Sequence, residues 1–284
     1  VRFGRDGHGR NLPRTPRIAS AEVVWQPCCV VWTDEKRIAQ CGRQVYLKVV
    51  RFARLELWID SVARRGPEAM AVDEWLLSVA RRPVLRVYAW EGTWGSIGYF
   101  GSLESAKRSL PGLDWVRRWT GGGTVDHRDD WTYTLVVPAG HGWCGLRGAE
   151  SYQVIHAALV DALQGEGIDA CLAGPDGQTG SALCFQNPVG HDVVDAAGVK
   201  LAGAGQRRTR AGLLHQGSVA ARLDSVKSSG RARGLANRLA DGWSEVRCEP
   251  DEALIEALVS ARYGSSAWTD GRRGASAVTP VAAG

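Results

Sequence analysis

This chain of 284 residues is short of lysine and methionine. Among 35 basic residues only five are lysines (Lys36, Lys48, Lys107, Lys200 and Lys227), and Met70 is the single methionine. No apolar run approaches the ~18 residues a membrane span requires. The first residues show no charged segment leading into an apolar one, so a cytoplasmic protein is expected. The seven cysteines, at 28, 29, 41, 144, 171, 184 and 248, are odd in number and irregularly spaced, which argues against a disulfide framework. There is no C-x-x-C pair, and His127, His191 and His215 lack metal-ligand spacing such as H-E-x-x-H, so no metal site is expected. The one run of three glycines is not followed by Gly-Lys-Ser/Thr, which excludes a P-loop.

What is present suits a globular protein with a sizeable core: 44% hydrophobic and 23% charged residues. The net charge of +5 fits an acidic protein partner as well as a nucleic acid. Residues 1–52 are basic and turn-rich, and read as an extension. Residues 264–284 are poor in large apolar side chains and read as a loose tail. Between them, 53–263 read as one domain of alternating elements. "LELWID" alternates as a strand, Gly66-Pro67 opens a helix, and Val72, Trp75, Leu76 and Val79 form its apolar stripe. "PVLRVYAW", "WGSIGY" and "DWVRRW" are further strands. "TVDH" and "WTYTLVV" flank Arg128-Asp129-Asp130 as a hairpin. A helix from about Ser151, its cap, to Gln164 buries Val154, Ile155, Ala158, Leu159, Ala162 and Leu163. "HDVVDAAGVKLAGAGQRR" turns at Ala197-Gly198, "GLLHQGSV" adds a strand, and helices near 232–240 and 251–262 close the domain. Long antiparallel runs mixed with helices point to an α+β fold.

Three stretches could carry chemistry. In "RRWTGGGTVDH" the glycines allow backbone N–H groups to approach a ligand, and Arg117 and Arg118 supply charge; a plain hairpin or bulge is the competing reading. Cys184, in "SALCFQNP", reads as packing between Leu183 and Phe185, or as a nucleophile if a positive group lies near it. Lys200 could return to that site across the predicted hairpin. By itself Lys200 reads as a lysine snorkelling to solvent, or as a compact cation held beside the small residues Ala202, Gly203, Ala204 and Gly205, where a ligand or a second backbone can lie close.

Taken in order, "MAVDEWLL", "PVLRVYAWEGTWGSIGYF", "RRWTGGGTVDH" and "GVKLAGAGQRR…LLHQGS" resemble the biotin/lipoate protein ligase superfamily, in particular its branch of lipoate–protein ligase A and cysteine octanoyltransferases. The resemblance spans about residues 55–222. It implies an α+β catalytic domain with a large mixed sheet covered by helices and a smaller sheet beside it. It implies transfer of a medium-chain acyl group to a lysine of a lipoyl domain. Cys184 and Lys200 match the catalytic positions, with Lys200 holding the acyl carbonyl or acyl phosphate oxygen. The matched motifs carry substrate binding onto Arg117, Arg118, Thr120, Gly121, Gly122, Gly123, His127, Gly203, Gly205, Gln206 and His215.

Two enzymatic branches remain open on these residues. A transferase takes octanoyl from acyl carrier protein through a cysteine thioester and needs no cofactor; a ligase activates lipoate with ATP and Mg²⁺. Cys184, the "HRDDWTYTLVVP" stretch and the short segment after Val219 favour the transferase. Gly123, where many transferases have arginine, is more ligase-like, and "PVGHDVV" departs from the usual serine-tyrosine pattern after Cys-Phe. A non-catalytic acyl- or lipoyl-domain-binding protein is the third reading. The implied partners are octanoyl–acyl carrier protein and lipoyl domains, such as glycine cleavage H protein and 2-oxoacid dehydrogenase E2, with neither nucleic acid nor membrane.

Overall fold

The computed structural model describes residues 51–146, 148–174, 190–220 and 223–271. Alternating apolar residues make β1 (Leu55–Ile59), and Gly66-Pro67 then begins α1 (Gly66–Val79), where the missing proline N–H costs nothing. There follow β2 (Val84–Tyr88), β3 (Trp94–Ile97), α2 (Leu103–Ser109), β4 (Asp114–Arg117), β5 (Val125–Asp126) and β6 (Trp131–Pro138). Helix α3 (Gly148–Gly165) leads to the short strands β7 (Cys171–Leu172) and β8 (Val193–Val194), then to the long strands β9 (Lys200–Thr209) and β10 (Gly212–Val219). The described chain ends with α4 (Ser225–Leu239), β11 (Trp243–Glu245), α5 (Glu252–Leu258), a π turn at Val259–Tyr263 and α6 (Ser266–Gly271).

Eight strands form a mixed sheet in the order β11-β1-β2-β6-β10-β9-β8-β7, and three form a second sheet in the order β4-β3-β5. β1 is parallel to β2 and β11, and the other pairs of the large sheet are antiparallel. Helices α3 and α4 bury one face of this sheet, around Tyr133, Leu135, Leu159 and Leu235. Helices α1, α5 and α6 cover part of the other face, around Met70, Leu76, Val136 and Trp268. The fold is therefore α+β, with a large mixed sheet and a small accessory one. Among the described residues no helix is long and apolar enough to cross a membrane.

Several local expectations change. Val79 is 41% exposed, whereas Met70, Ala71, Asp73 and Leu77 are buried, so α1 is covered well beyond one stripe. β5 and β6 do not form a hairpin: β5 pairs with β3 in the small sheet, and β6 pairs with β2 and β10 in the large one. The turn between them, 127–130, carries the chain from one sheet to the other. Ser151 lies inside α3, not at its cap; its hydroxyl accepts from Arg208 at 2.9 Å and sits 2.8 Å from the Gln206 side-chain oxygen, tying the helix to the sheet. The stretch read as a tail from residue 264 contains α6, whose Trp268 is buried and donates its indole N–H to the Arg117 carbonyl at 3.0 Å. Arg117 reaches back to the Trp268 and Thr269 carbonyls, so this helix is fastened to the small sheet.

Candidate active site

Strands β9 and β10 are in register, so their alternation sorts residues between two faces. Gly203 pairs with Ser218 and Gly205 with Gln216; Ala204 pairs with Gly217 and Gln206 with His215. The first two pairs face a cleft between the sheets. Its floor follows one row across four strands, Gly203–Ser218–Thr132–Tyr88, about 14 Å at the usual strand spacing. Met70, Trp90, Arg118, Val125 and His127 complete the walls of a space of about 360 Å³, counting its open mouth.

Lys200 stands at the β9 end of this row. It is 4% exposed, so it does not snorkel to solvent. Its Nζ lies 2.6 Å from Asp192 Oδ2, and both side chains are buried. On strict alternation Lys200 would share the α3 face with Ala202. Between Val193 and Val194, however, the register jumps from Ala202 to Lys200, leaving Leu201 as an extra residue. Such a bulge re-aims the side chains beyond it. The ammonium thereby lies over Gly203: a Cβ built there would stand 2.7 Å from Nζ. Any side chain at 203 would displace the lysine.

The glycine loop packs its backbone directly on β9. A Cβ on Gly205 would be 2.4 Å from the Gly121 oxygen and 2.9 Å from Thr120 Oγ1, so this glycine admits a second backbone. Gly122, with φ +95, is the loop's left-handed residue. Arg118 secures the loop by donating to the carbonyls of Gly121 at 3.2 Å and Gly123 at 2.9 Å. Thr120 is fully buried and donates to Gln216 Oε1 at 2.7 Å. Arg117 points elsewhere: its guanidinium meets the carbonyls of Gly98, Tyr99, Gly101, Trp268 and Thr269. A cation so engaged is a clamp between segments, and Arg117 does not line the cleft.

Behind the loop lies a buried charge network that the sequence reading missed. Gln216 donates to Asp73 Oδ2 at 2.7 Å, Thr134 donates to the same oxygen at 2.8 Å, and Arg86 donates to Asp73 Oδ1 at 2.6 Å. Arg86 also holds Asp60, which pairs with Arg64. Burial opposes charge on Arg86, but Asp73, Tyr88 and Asp60 outweigh it and raise its pKa. Tyr88, beside Asp73, is held well above the usual phenol range, chiefly by burial. The available signal was Asp73 itself, a charged residue between Val72 and Glu74 on an otherwise buried helix face.

His127 is brought to the cleft, but both ring nitrogens are engaged. Nδ1 donates to Asp130 at 2.7 Å and Nε2 meets Ser96 Oγ at 2.6 Å, while Trp90 stacks on the ring at 4.0 Å. The order Ser96–His127–Asp130 has the outline of a nucleophile triad. Ser96 is fully buried and accepts from Arg118 at 2.5 Å, so the arrangement acts as a brace between the sheets. Gln206 and His215 meet on the opposite face, under α3. The Gln206 amide donates to His215 Nδ1 at 2.9 Å, and His215 Nε2 then donates to the Tyr133 hydroxyl at 3.1 Å. Burial and neighbouring His156 hold His215 well below the usual imidazole pKa, so it stays neutral. Thus Lys200, Arg118, His127, Gly203 and Gly205 gather at the cleft, Thr120 and Gly121–Gly123 close it from the loop side, and Arg117, Gln206 and His215 do not reach it. Cys184 lies outside the described residues.

Residues 65–241 match the model of the lipoyl protein ligase A/B catalytic domain family. Octanoyltransferase LipM of Kyrpidia tusciae is 38% identical over 172 residues, covering 55% of this chain and 62% of that protein. Octanoyltransferase LipM of Staphylococcus aureus is 34% identical over 171 residues, with 55% and 62% covered. The matches thus span less than two thirds of these relatives. In fold, the chain is similar to a bi-partite lipoate protein ligase of Thermoplasma acidophilum, described together with its E2 lipoyl domain: the TM-score is 0.60 at 18% identity, covering 81% of this chain and 100% of that one.

Proposed function

The chain belongs to the lipoyl protein ligase A/B catalytic domain family, and on that premise we propose that it moves an octanoyl group from acyl carrier protein to a lysine of a lipoyl domain. The Cys184 thiolate attacks the donor thioester carbonyl and the carrier thiol leaves. The ε-amine of the lipoyl-domain lysine then attacks the acyl-enzyme thioester, forming the amide and regenerating Cys184. Lys200 stabilises the oxyanion in both steps, and the gain is larger in the transition state, where the oxygen becomes negative. The acyl chain lies in the cleft, over Gly203 and the row leading to Tyr88. The donor is already activated, so the reaction calls for neither ATP nor Mg²⁺. The partners are octanoyl–acyl carrier protein and an E2-type lipoyl domain.

The observation that carries this reading is a buried ammonium at the end of a narrow cleft floored by glycine. An ammonium withdrawn from water is costly unless it is paired and employed. The likeness to octanoyltransferases at 34–38% identity supports the transferase branch. Intact-mass measurement after incubation with octanoyl–acyl carrier protein is expected to show one added octanoyl group, lost in Cys184→Ser. Transfer at the parental rate by Cys184→Ser would overturn the reading.

One feature favours the ligase instead: Gly123 stands where many transferases carry arginine. Titration of ATP together with lipoate separates the two readings. Coupled binding and adenylate formation from free lipoate would assign the ligase.

A further inference from the structure

Three departures from regular geometry converge on the Lys200–Asp192 pair. The first is His191, at φ +72 and the only non-glycine residue with positive φ among those described. That conformation is unfavourable for a residue with a Cβ. It is held by two hydrogen bonds: the His191 carbonyl accepts from His156 Nδ1 at 2.5 Å, and its N–H donates to the Ala173 carbonyl at 3.2 Å. The second is the bulge at Leu201, which turns Lys200 towards the cleft. The third is Gly203, where an added Cβ would lie 2.6 Å from Lys200 Cε, 2.7 Å from Nζ and 3.1 Å from Asp192 Oδ1. His156 is itself fully buried, and its other ring nitrogen has no hydrogen-bond partner among the described residues. Strain kept at one spot by surrounding contacts is a pointer to function.

We propose that Asp192 is the positioning residue for Lys200, holding its ammonium over Gly203, and that His156 aims Asp192 by locking the left-handed backbone of His191. The side chain of His191 is not needed for this; its backbone conformation is. The inference rests on the acyl-transfer reading for its kinetic consequence, but the pair itself is testable without turnover.

In single-turnover transfer from an octanoyl thioester, Asp192→Asn is expected to lower the rate at saturating donor at least tenfold, with the donor concentration for half-maximal rate within twofold of the parent. Asp192→Glu should recover part of the loss. His191→Val, which resists positive φ, should track Asp192→Asn, while His191→Gly should retain more of the rate than His191→Val. Thermal melting identifies variants that merely fail to fold. Separately, peptide mass spectrometry after brief amine-reactive labelling reads Lys200 directly. Labelling should be several-fold faster in Asp192→Asn, because the amine is no longer held against the Asp192 carboxylate. A parental or faster transfer rate in Asp192→Asn overturns the proposal, the faster rate marking Asp192 as a latch. If the parent forms no acyl adduct, the transferase reading falls and labelling decides the pair: equal labelling of the parent and Asp192→Asn overturns it.

Discussion

The two faces of the β9–β10 ribbon are built from adjacent residues yet solve opposite problems. On the cleft face, Gly203 and Gly205 remove side chains, and the space is taken by the Lys200 ammonium and by the backbone of Gly121. Charge is kept there, on Lys200 and Asp192 and, deeper, on Arg86 and Asp73. On the α3 face, Gln206 and His215 are linked to Ser151 and Tyr133 by neutral hydrogen bonds. A satisfied neutral network stabilises modestly, about 0.5–1.5 kcal/mol per bond. A buried ion pair is weak evidence of net stability, but removing one partner from it is severe. The cleft face therefore spends stability on placing charge, and the helix face does not. Substitutions on the two faces should differ in kind: rate and stability together on one, stability alone on the other.

The largest effect should come from Lys200→Ala. Losing a well-placed oxyanion donor typically costs about 2.7–4 kcal/mol, roughly a hundred- to thousandfold in rate. Because the lysine is buried against Asp192, the variant should also melt lower; breaking a buried pair costs about 3–5 kcal/mol. Lys200→Arg should fail as well, since the larger planar group has no room beside residue 203. Single-turnover rates and thermal melts check both, and near-normal turnover in Lys200→Ala would remove the cleft face's claim to chemistry. Next is Asp73→Ala, which strips Arg86, Gln216 and Thr134 of a shared acceptor. A loss of about 3 kcal/mol or more in stability is expected from urea unfolding. An effect under 1 kcal/mol would show that the network is not coupled.

A smaller and sharper test is Gly205→Ala. The new methyl would meet the Gly121 carbonyl at 2.4 Å, backbone that cannot swing aside as a side chain can. Overpacking of this kind costs about 1–3 kcal/mol, and the displaced loop should slow acyl transfer. The matching change on the other face, Gln206→Ala, removes a hydrogen-bond link without touching the loop. It should lower stability and leave the transfer rate near that of the parent. Equal losses of rate in the two variants would erase the distinction between the faces.

Much of this contrast was legible in the sequence and part of it was not, for physical reasons. The hairpin read in "HDVVDAAGVKLAGAGQRR" and the strand read in "GLLHQGSV" announced β9 and β10, and the spacing of Val154, Ile155, Ala158 and Leu159 announced the buried face of α3. Alternation, however, does not say which sheet a strand joins, so β5 and β6 looked like a hairpin. The tail helix is held by Arg117, 151 residues away from Trp268, a distance no local pattern bridges. The same holds for Asp73 and Gln216, separated by 143 positions. Motif similarity led to Lys200, Arg118 and Gly205. It also swept in Arg117, Gln206 and His215, because a motif names consecutive residues while a strand sends alternate ones to opposite faces.

The smallest effect belongs to the neutral face and appears with pH. Burial lowers the pKa of His156, and burial together with His156 lowers that of His215. In the unfolded chain both return to about 6.5. Above that value neither state binds the proton, and the histidines contribute their full packing. As pH falls below about 6.5 the unfolded state takes up protons that the folded state refuses, so stability declines towards the depressed folded values. Each group can contribute a slope of up to about 1.4 kcal/mol per pH unit in that window. Urea unfolding at pH 7.5, 6 and 5 should show the loss, and His215→Gln should flatten it by about half while leaving the pH 7.5 transfer rate close to the parent. Replacing Lys200 should change this slope only in its His156 part, where the ammonium adds to the larger effect of burial, and should leave the His215 part in place. An acid slope that survives loss of both imidazoles would mean that the α3 face is not where the protein resists protonation, and the division of labour between the two faces would have to be redrawn.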